Sequence, residues 1–207
     1  MFTLDKLTAA TADFQKYVEP QLYDSGMFDP KDSYVVVCEG DSDDLKAKMD
    51  QFAGIDMVTI DKQHQTVQGI ASRIQHGPCW HTFTVRALTD RGNFDTELKK
   101  RLLAIQNGDM YPTWTIQAYV FPVNGLIQCT VGVIRTVELF NYIKDQLSSR
   151  TFKDEEDFFD MLRYDTSIGE LDIRRNSQGG AVFIACDWET LIHRGINLTI
   201  MEGTFGD

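Results

Sequence analysis

Apolar residues recur along this chain at two spacings, and those spacings predict its elements. Leu4, Leu7, Ala10, Phe14 and Tyr17 fall at helical intervals, so residues 4–17 are expected to form a short amphipathic helix. A turn-rich DSGMFDPKDS stretch separates it from an apolar run at 34–38, read as a buried strand. Ser42 or Asp43 is placed to cap a helix over 44–52. Residues 55–60 and 66–75 read as strands joined across a polar DKQHQ turn, which predicts a hairpin, and 81–88 reads as a third strand after the Gly77-Pro78 break. Leu98, Leu102 and Ile105 make the apolar stripe of a helix opened by Asp95 or Thr96 and stopped by Gly108. Strands at 113–121 and 126–134 flank a Pro-Val-Asn-Gly turn, followed by helices at 137–147 and 155–162. A strand at 181–186, a short helix at 187–194 and a strand at 197–201 end the series.

This alternation predicts an α/β (α+β) fold, a mixed central sheet flanked by helices. Val35, Val37, Ile70, Ile74, Phe83, Val85, Leu98, Leu102, Ile116, Val131, Phe183 and Ile184 are expected in its core. No repeat, low-complexity tract or Pro/Ser-rich linker interrupts the 207 residues, so one domain spanning 1–207 is expected. Apolar residues at 43% and charged residues at 25% argue against disorder. The amino-terminal MFTLDKLTAATADFQKY lacks a basic region followed by an apolar core, and no apolar run approaches a bilayer span, so a soluble cytoplasmic protein without membrane contact is expected. The four cysteines (Cys38, Cys79, Cys129, Cys186) lie far apart, which fits reduced thiols better than a disulfide framework.

Charge changes the picture more than composition does. The net charge is −11, yet residues 62–150 carry 10 Lys/Arg against 6 Asp/Glu. The flanks carry the opposite excess, 5 against 13 over 1–61 and 5 against 12 over 151–207. A globally acidic chain repels nucleic acid, while the middle section alone attracts phosphate. Within that section Arg73 and Arg86 stand in otherwise apolar strands, where a guanidinium needs an anionic partner: Asp56 or Glu97 in a structural network, or a phosphate.

From residue 44 to 121 the expected order is helix, three strands, helix, strand, and this order resembles the core of the restriction-endonuclease-like, or PD-(D/E)XK, nuclease superfamily. Residues 1–43 and 122–207 would then be elaborations. The resemblance implies a divalent metal, Mg²⁺ or Mn²⁺, held by an acid at the mouth of one strand and an acid-x-Lys on the next, activating water against a scissile phosphate. Asp56, in Ala53-Gly54-Ile55-Asp56, matches the first acid. Arg73-Ile74-Gln75 and Thr84-Val85-Arg86 occupy the positions of the acid-x-Lys and depart from it, with Gln75 able to offer one uncharged oxygen. Glu97 and Lys100, three apart on one helix face, could replace the missing acid and lysine, and Asp50 could add a carboxylate. Under this reading Asp56, Glu97, Lys100 and Gln75 are catalytic, with Asp56, Glu97 and Asp50 on the metal. Arg73, Arg86, Lys99 and Arg101 then contact nucleic acid. A strand-capping role for Asp56, and a solvated helix face for Glu97, Lys100 and Arg101, are the plainer alternatives.

Two other classes stay open. The acidic run 154–160, together with Asp41, Asp43 and Asp44, could mimic a line of phosphates, as in a non-enzymatic phage or mobile-element inhibitor that occupies a nucleic-acid-handling protein. An assembly protein working through oligomer contacts is the third class. The remaining motifs carry less. His76, Cys79 and His81 supply three of the four ligands a structural zinc site needs, His64-Gln65-Thr66 lacks the second copy a two-histidine phosphoesterase requires, and no Walker, GxGxxG, GxSxG or HExxH pattern occurs. The loop 174–180 reads as a basic turn.

Overall fold

The computed structural model describes residues 11–35, 55–62, 64–89, 96–176 and 180–206. The chain enters through a helical segment in which a π-helical turn (Phe14–Val18) leads directly into α1 (Glu19–Asp24). Pro20 follows the π-helical turn directly and has no N–H to donate to it, so the change from π to α hydrogen bonding falls where a donor is missing. Helix therefore runs past Tyr17, where the apolar spacing ends. After β1 (Ser33–Val35) come β2 (Met57–Asp61), β3 (Thr66–His76) and β4 (Thr82–Leu88), then α2 (Glu97–Asn107), whose C-terminus is closed by Gly108 at φ 73°. The helix expected over 44–52, Val37 and the caps proposed at 42, 43 and 95 lie outside the described residues.

β5 (Trp114–Val123) and β6 (Leu126–Arg135) form a hairpin whose two-residue turn is Asn124-Gly125, both at positive φ (53° and 79°). That is the geometry that matches a hairpin's natural twist and selects Asn-Gly. The chain continues through α3 (Thr136–Leu147), α4 (Glu155–Tyr164), β7 (Ser167–Ile168), β8 (Leu171–Arg175), β9 (Val182–Asp187), α5 (Trp188–His193) and β10 (Leu198–Phe205).

The strands divide into two sheets. Six form a mixed sheet in the order β1-β2-β3-β5-β6-β10, in which β3 and β5 are parallel and every other pair antiparallel. Four form an antiparallel sheet in the order β4-β9-β8-β7. The α+β class and the mixed sheet agree with expectation. A single central sheet does not: β4, the third expected strand, leaves the first sheet and pairs with β9, almost a hundred residues later in the chain. Parallel strands need a crossover connection, and here the crossover from β3 to β5 carries β4 and α2 with it.

The six-stranded sheet is covered on both faces. Phe14, Val18 and Leu22 of the entering helix pack on Ile70, Ile116, Ala118, Val131 and Val133. On the opposite face Tyr119 and Ile134 meet Phe83, Val85, Leu139, Phe140, Leu162, Ile184 and Trp188 from the second sheet and its helices. Burying each of these large side chains contributes roughly 1.5–3 kcal/mol. Gly132 on β6 lies beneath the Trp188 ring, close enough that a Cβ there would collide with it. Ile70, Phe83, Val85, Leu98, Ile116, Val131 and Ile184 are buried as expected, whereas Ile74, Leu102 and Phe183 are only half-buried. Phe183 is incompletely covered for a reason: it supports two guanidinium groups (below).

Candidate functional site

The second sheet crosses the first at the edge strand β4, and the junction is made by side chains. Alternate residues of β4 turn their backbone N–H groups away from β9, toward the first sheet, where no strand among the described residues accepts them. Three side chains take that place. The N–H of Thr82 donates to Tyr119 Oη at 3.3 Å, that of Thr84 to Gln117 Oε1 at 3.4 Å, and that of Arg86 to Glu97 Oε2 at 3.3 Å. Gln117 and Tyr119 are two apart on β5 and hence share a face, and Glu97 opens α2 directly alongside. An unpaired edge is thus closed by acceptors rather than by another strand.

Beside this junction opens a pocket of about 360 Å³, lined by Asp56, Ser72, Arg73, Thr84, Arg86, Glu97, Lys100, Arg101, Thr115 and Gln117 among others. Arg73 on β3 stands opposite Gln117 on β5 in the parallel ladder. Its Nη2 donates to Glu97 Oε2 at 2.8 Å and its Nη1 to Thr84 Oγ1 at 3.3 Å. The guanidinium groups of Arg73 and Arg86 both rest on the ring of Phe183, 5.4 and 5.6 Å from its centroid. That stacking fixes the planes of the two groups and is favourable in itself. Asp56 sits one residue before β2, and its Oδ2 accepts from the backbone N–H of Ser72 at 2.5 Å and from Ser72 Oγ at 3.1 Å. The pairing of β2 with β3 ends here, and the carboxylate caps the donor that β2 no longer reaches.

Several expected residues therefore meet. Asp56, Arg73, Arg86, Glu97, Lys100 and Arg101 line one pocket although they come from four elements or their margins. Gln75 and Lys99 do not line it. Gln75 lies two residues further along β3, opposite Tyr119 and beyond the pocket's end. Asp50 lies outside the described residues. Arg101 corrects the solvated-face reading of α2: it is 6% exposed, and burial pushes its pKa below the ordinary arginine value while Glu97 and Asp56 pull it back up. Arginine stays protonated under such a shift, so its charge is part of the site. Sequence reasoning missed Gln117, and it named Thr84 only as the residue standing where the nuclease pattern has its acid. A lone Gln inside the apolar run TWTIQAYVF was a signal, whereas a threonine in a strand is no signal at all.

The chemistry of the donor set follows from charge. Four cations (Arg73, Arg86, Lys100, Arg101) face two carboxylates (Asp56, Glu97), a formal +2 in a chain of net −11. Both carboxylates are already engaged as acceptors. Among the described residues that line the pocket, two side-chain nitrogens, Arg86 Nε and Gln117 Nε2, are buried without an acceptor, as Trp188 Nε1 is away from it. Mg²⁺ and Mn²⁺ want several oxygen ligands and a negative site. Among the described residues no group of three or more His, Cys, Asp or Glu side chains converges. The described donors therefore suit an anion better than a divalent cation.

Other motifs resolve more simply. The HGPCWH segment forms the turn before β4; burial pushes the Cys79 thiol up, away from a reactive thiolate. Cys79, Cys129 and Cys186 are free thiols. In the acidic run Asp154 caps α4, Asp157 pairs with Arg150, and Phe158, Phe159 and Leu162 turn to the core. Acids 39–44 lie outside the described residues. No helix among the described residues is long and apolar enough to cross a membrane. Comparison with known proteins finds no family model that matches the chain and no curated protein with a significant match.

Proposed function

We propose that this chain binds nucleic acid through phosphate, at the pocket between β3, β4, β5 and α2. The observation that carries the reading is the +2 pocket in a −11 chain, whose two carboxylates are already committed to neighbouring donors. Phosphate is the biological anion that several fixed guanidinium groups recognise best, because their forked N–H donors match its oxygens. The acidic remainder of the molecule repels a polyanion, which confines contact to this region. The test is a titration of oligonucleotides against salt. Binding through phosphate weakens steeply as salt rises, with a slope near −0.7 per neutralised phosphate for single strands. Arg86→Gln and Lys100→Gln should each flatten that slope. Absence of binding at low salt overturns the reading and favours the acidic inhibitor that mimics phosphates.

A second reading, a metal-dependent nuclease on a restriction-endonuclease-like core, has one observation in its favour: Asp56 and Glu97 line the same pocket, with Lys100 beside them. The β2, β3, β4, α2, β5 order matches the second to sixth elements of that core, while the pairing of β4 with β9 departs from a single central sheet. Cleavage of DNA or RNA that requires Mg²⁺ or Mn²⁺ and is lost in Asp56→Asn supports this reading. Inertness toward both substrates in both metals removes it and leaves binding.

A further inference from the structure

We propose that the ligand is single-stranded, and that Trp80, outside the pocket, is a platform on which one of its unpaired bases stacks. This rests on the phosphate-binding reading above and goes on to say which form of nucleic acid the site takes. The platform ends a row of side chains that crosses the second sheet. Arg86 on β4 stands opposite Phe183 on β9, and Phe183 stands opposite Arg174 on β8. Residues directly opposite in antiparallel strands share a face. This face is turned from the core, since the alternate residues Val85, Ile184 and Ile173 are buried on the other. The Arg73 and Arg86 guanidinium groups rest on the Phe183 ring, and that of Arg174 lies 5.9 Å from the centroid of the Trp80 ring. Guanidinium groups and aromatic rings thus alternate outward from the pocket wall, and the row finishes on Trp80.

The two ends of the row differ in charge. At the pocket the cations outnumber the carboxylates. At the far end Arg174 Nη2 donates to Asp172 Oδ2 at 3.1 Å, which offsets its charge and leaves flat ring and guanidinium surfaces without net charge. Trp80 is 55% exposed, whereas Trp188 nearby is buried. That division matches a polynucleotide, with phosphate at the cationic end and a base at the flat one. Neighbouring strands lie about 4.8 Å apart, so Arg86 and Arg174 are separated by about 10 Å, the rise of roughly three stacked nucleotides. A duplex cannot use the platform, because each base has its faces covered by its neighbours and its edge held in a pair. An unpaired base can swing out and lay its π-face on the indole. Since every base has such a face, the platform selects for single strands and discriminates little among sequences.

The experiment compares two ligands by fluorescence anisotropy, a mixed-sequence single-stranded oligonucleotide and the blunt duplex it forms with its complement. The wild type should bind the single strand roughly 5-fold or more tightly than the duplex. Trp80→Ala should weaken single-strand binding by roughly 5- to 100-fold, the loss of one base stacked on an aromatic ring, and close most of the gap to the duplex. Its salt slope should stay that of the wild type, because no phosphate contact is removed, whereas the pocket substitutions Arg86→Gln and Lys100→Gln flatten the slope. Trp80→Phe keeps a ring and should bind the single strand within about 3-fold of the wild type. Tryptophan emission, quenched by the single strand in the wild type, should lose most of that quenching in Trp80→Phe, and this measurement carries the test if Trp80→Ala does not fold. Undiminished single-strand affinity in Trp80→Ala, or an equal loss for strand and duplex, overturns this inference and leaves phosphate binding standing. Failure of the wild type to bind either ligand at low salt overturns the phosphate reading itself.

Discussion

Replacing Glu97 with glutamine keeps the side chain's shape and removes one negative charge from the pocket, so it separates the two roles a carboxylate could have there. In the native protein Glu97 Oε2 accepts from Arg73 Nη2 at 2.8 Å and from the Arg86 N–H at 3.3 Å, with the Arg73 and Glu97 side chains 30% and 24% exposed. A hydrogen bond to a charged group contributes roughly 1.5–3 kcal/mol net, and partial exposure places this one low in that range. Both bonds end on the same oxygen, so a carboxamide oxygen in its place can still accept them without the charge, and the expected loss is the difference between a charge-assisted and a neutral bond, about 1–2 kcal/mol. Binding should move the other way, because the pocket's formal charge rises from +2 to +3. A unit charge about 8 Å from a bound anion interacts with it by about 0.5–2 kcal/mol at effective dielectrics between those of water and a protein surface, or roughly 2- to 30-fold in affinity. Urea unfolding and oligonucleotide anisotropy on the same preparation measure both effects. If Glu97 instead held a divalent metal that bridges to the ligand, the substitution would weaken binding in Mg²⁺ and leave stability unchanged. That pair of results refutes the argument.

The other predictions concern the frame around the pocket. Gly132→Ala places a methyl group against the buried Trp188 ring and should destabilise by about 1–3 kcal/mol, read as a lower urea midpoint; a midpoint at or above that of the wild type would show that the ring is free to move. Hydrogen bonding from Arg194 holds the Glu170 carboxyl below its ordinary value of 4.5. A lowered carboxyl pKa stabilises the fold at pH above the unfolded value, and that contribution is lost as pH falls through the folded one. The Tm gap between the wild type and Glu170→Gln should therefore be open at neutral pH and close in acid. A gap that persists in acid contradicts the ion pair.

Much of the frame was legible in the chain because it is written locally. Asn124-Gly125 between two apolar runs specifies a hairpin, Gly108 stops α2, and the HTFTVRAL alternation specifies β4. What alternation cannot specify is a strand's partner. Period two says that one side of β4 is apolar, and both β3 and β9 satisfy that equally, so the second sheet was invisible. β8, five residues with two exposed, was too short and polar to separate from a loop. The site divides in the same way. Arg73, Arg86 and Asp56 stood out as charges in or beside apolar strands. Arg101, four residues after Glu97, matched a solvated i,i+4 helix pair in sequence, and only tertiary packing of α2 against the sheet buries it.

The closure of β4 has a consequence for how this protein can change. Gln117 and Glu97 are at once the acceptors that seal an exposed strand edge and part of the wall that meets a ligand. Most binding sites keep their adaptable residues on loops, apart from the scaffold, so specificity can drift while the fold stays fixed. Here the two are written in the same letters. A substitution at position 97 or 117 is judged for solubility before it is judged for recognition, since an unsealed edge invites strand addition from another molecule. Variation in ligand preference is therefore channelled to Lys100, Ser72 and Thr115, which line the pocket without closing the β4 edge. Those positions are where a library aimed at new specificity should begin.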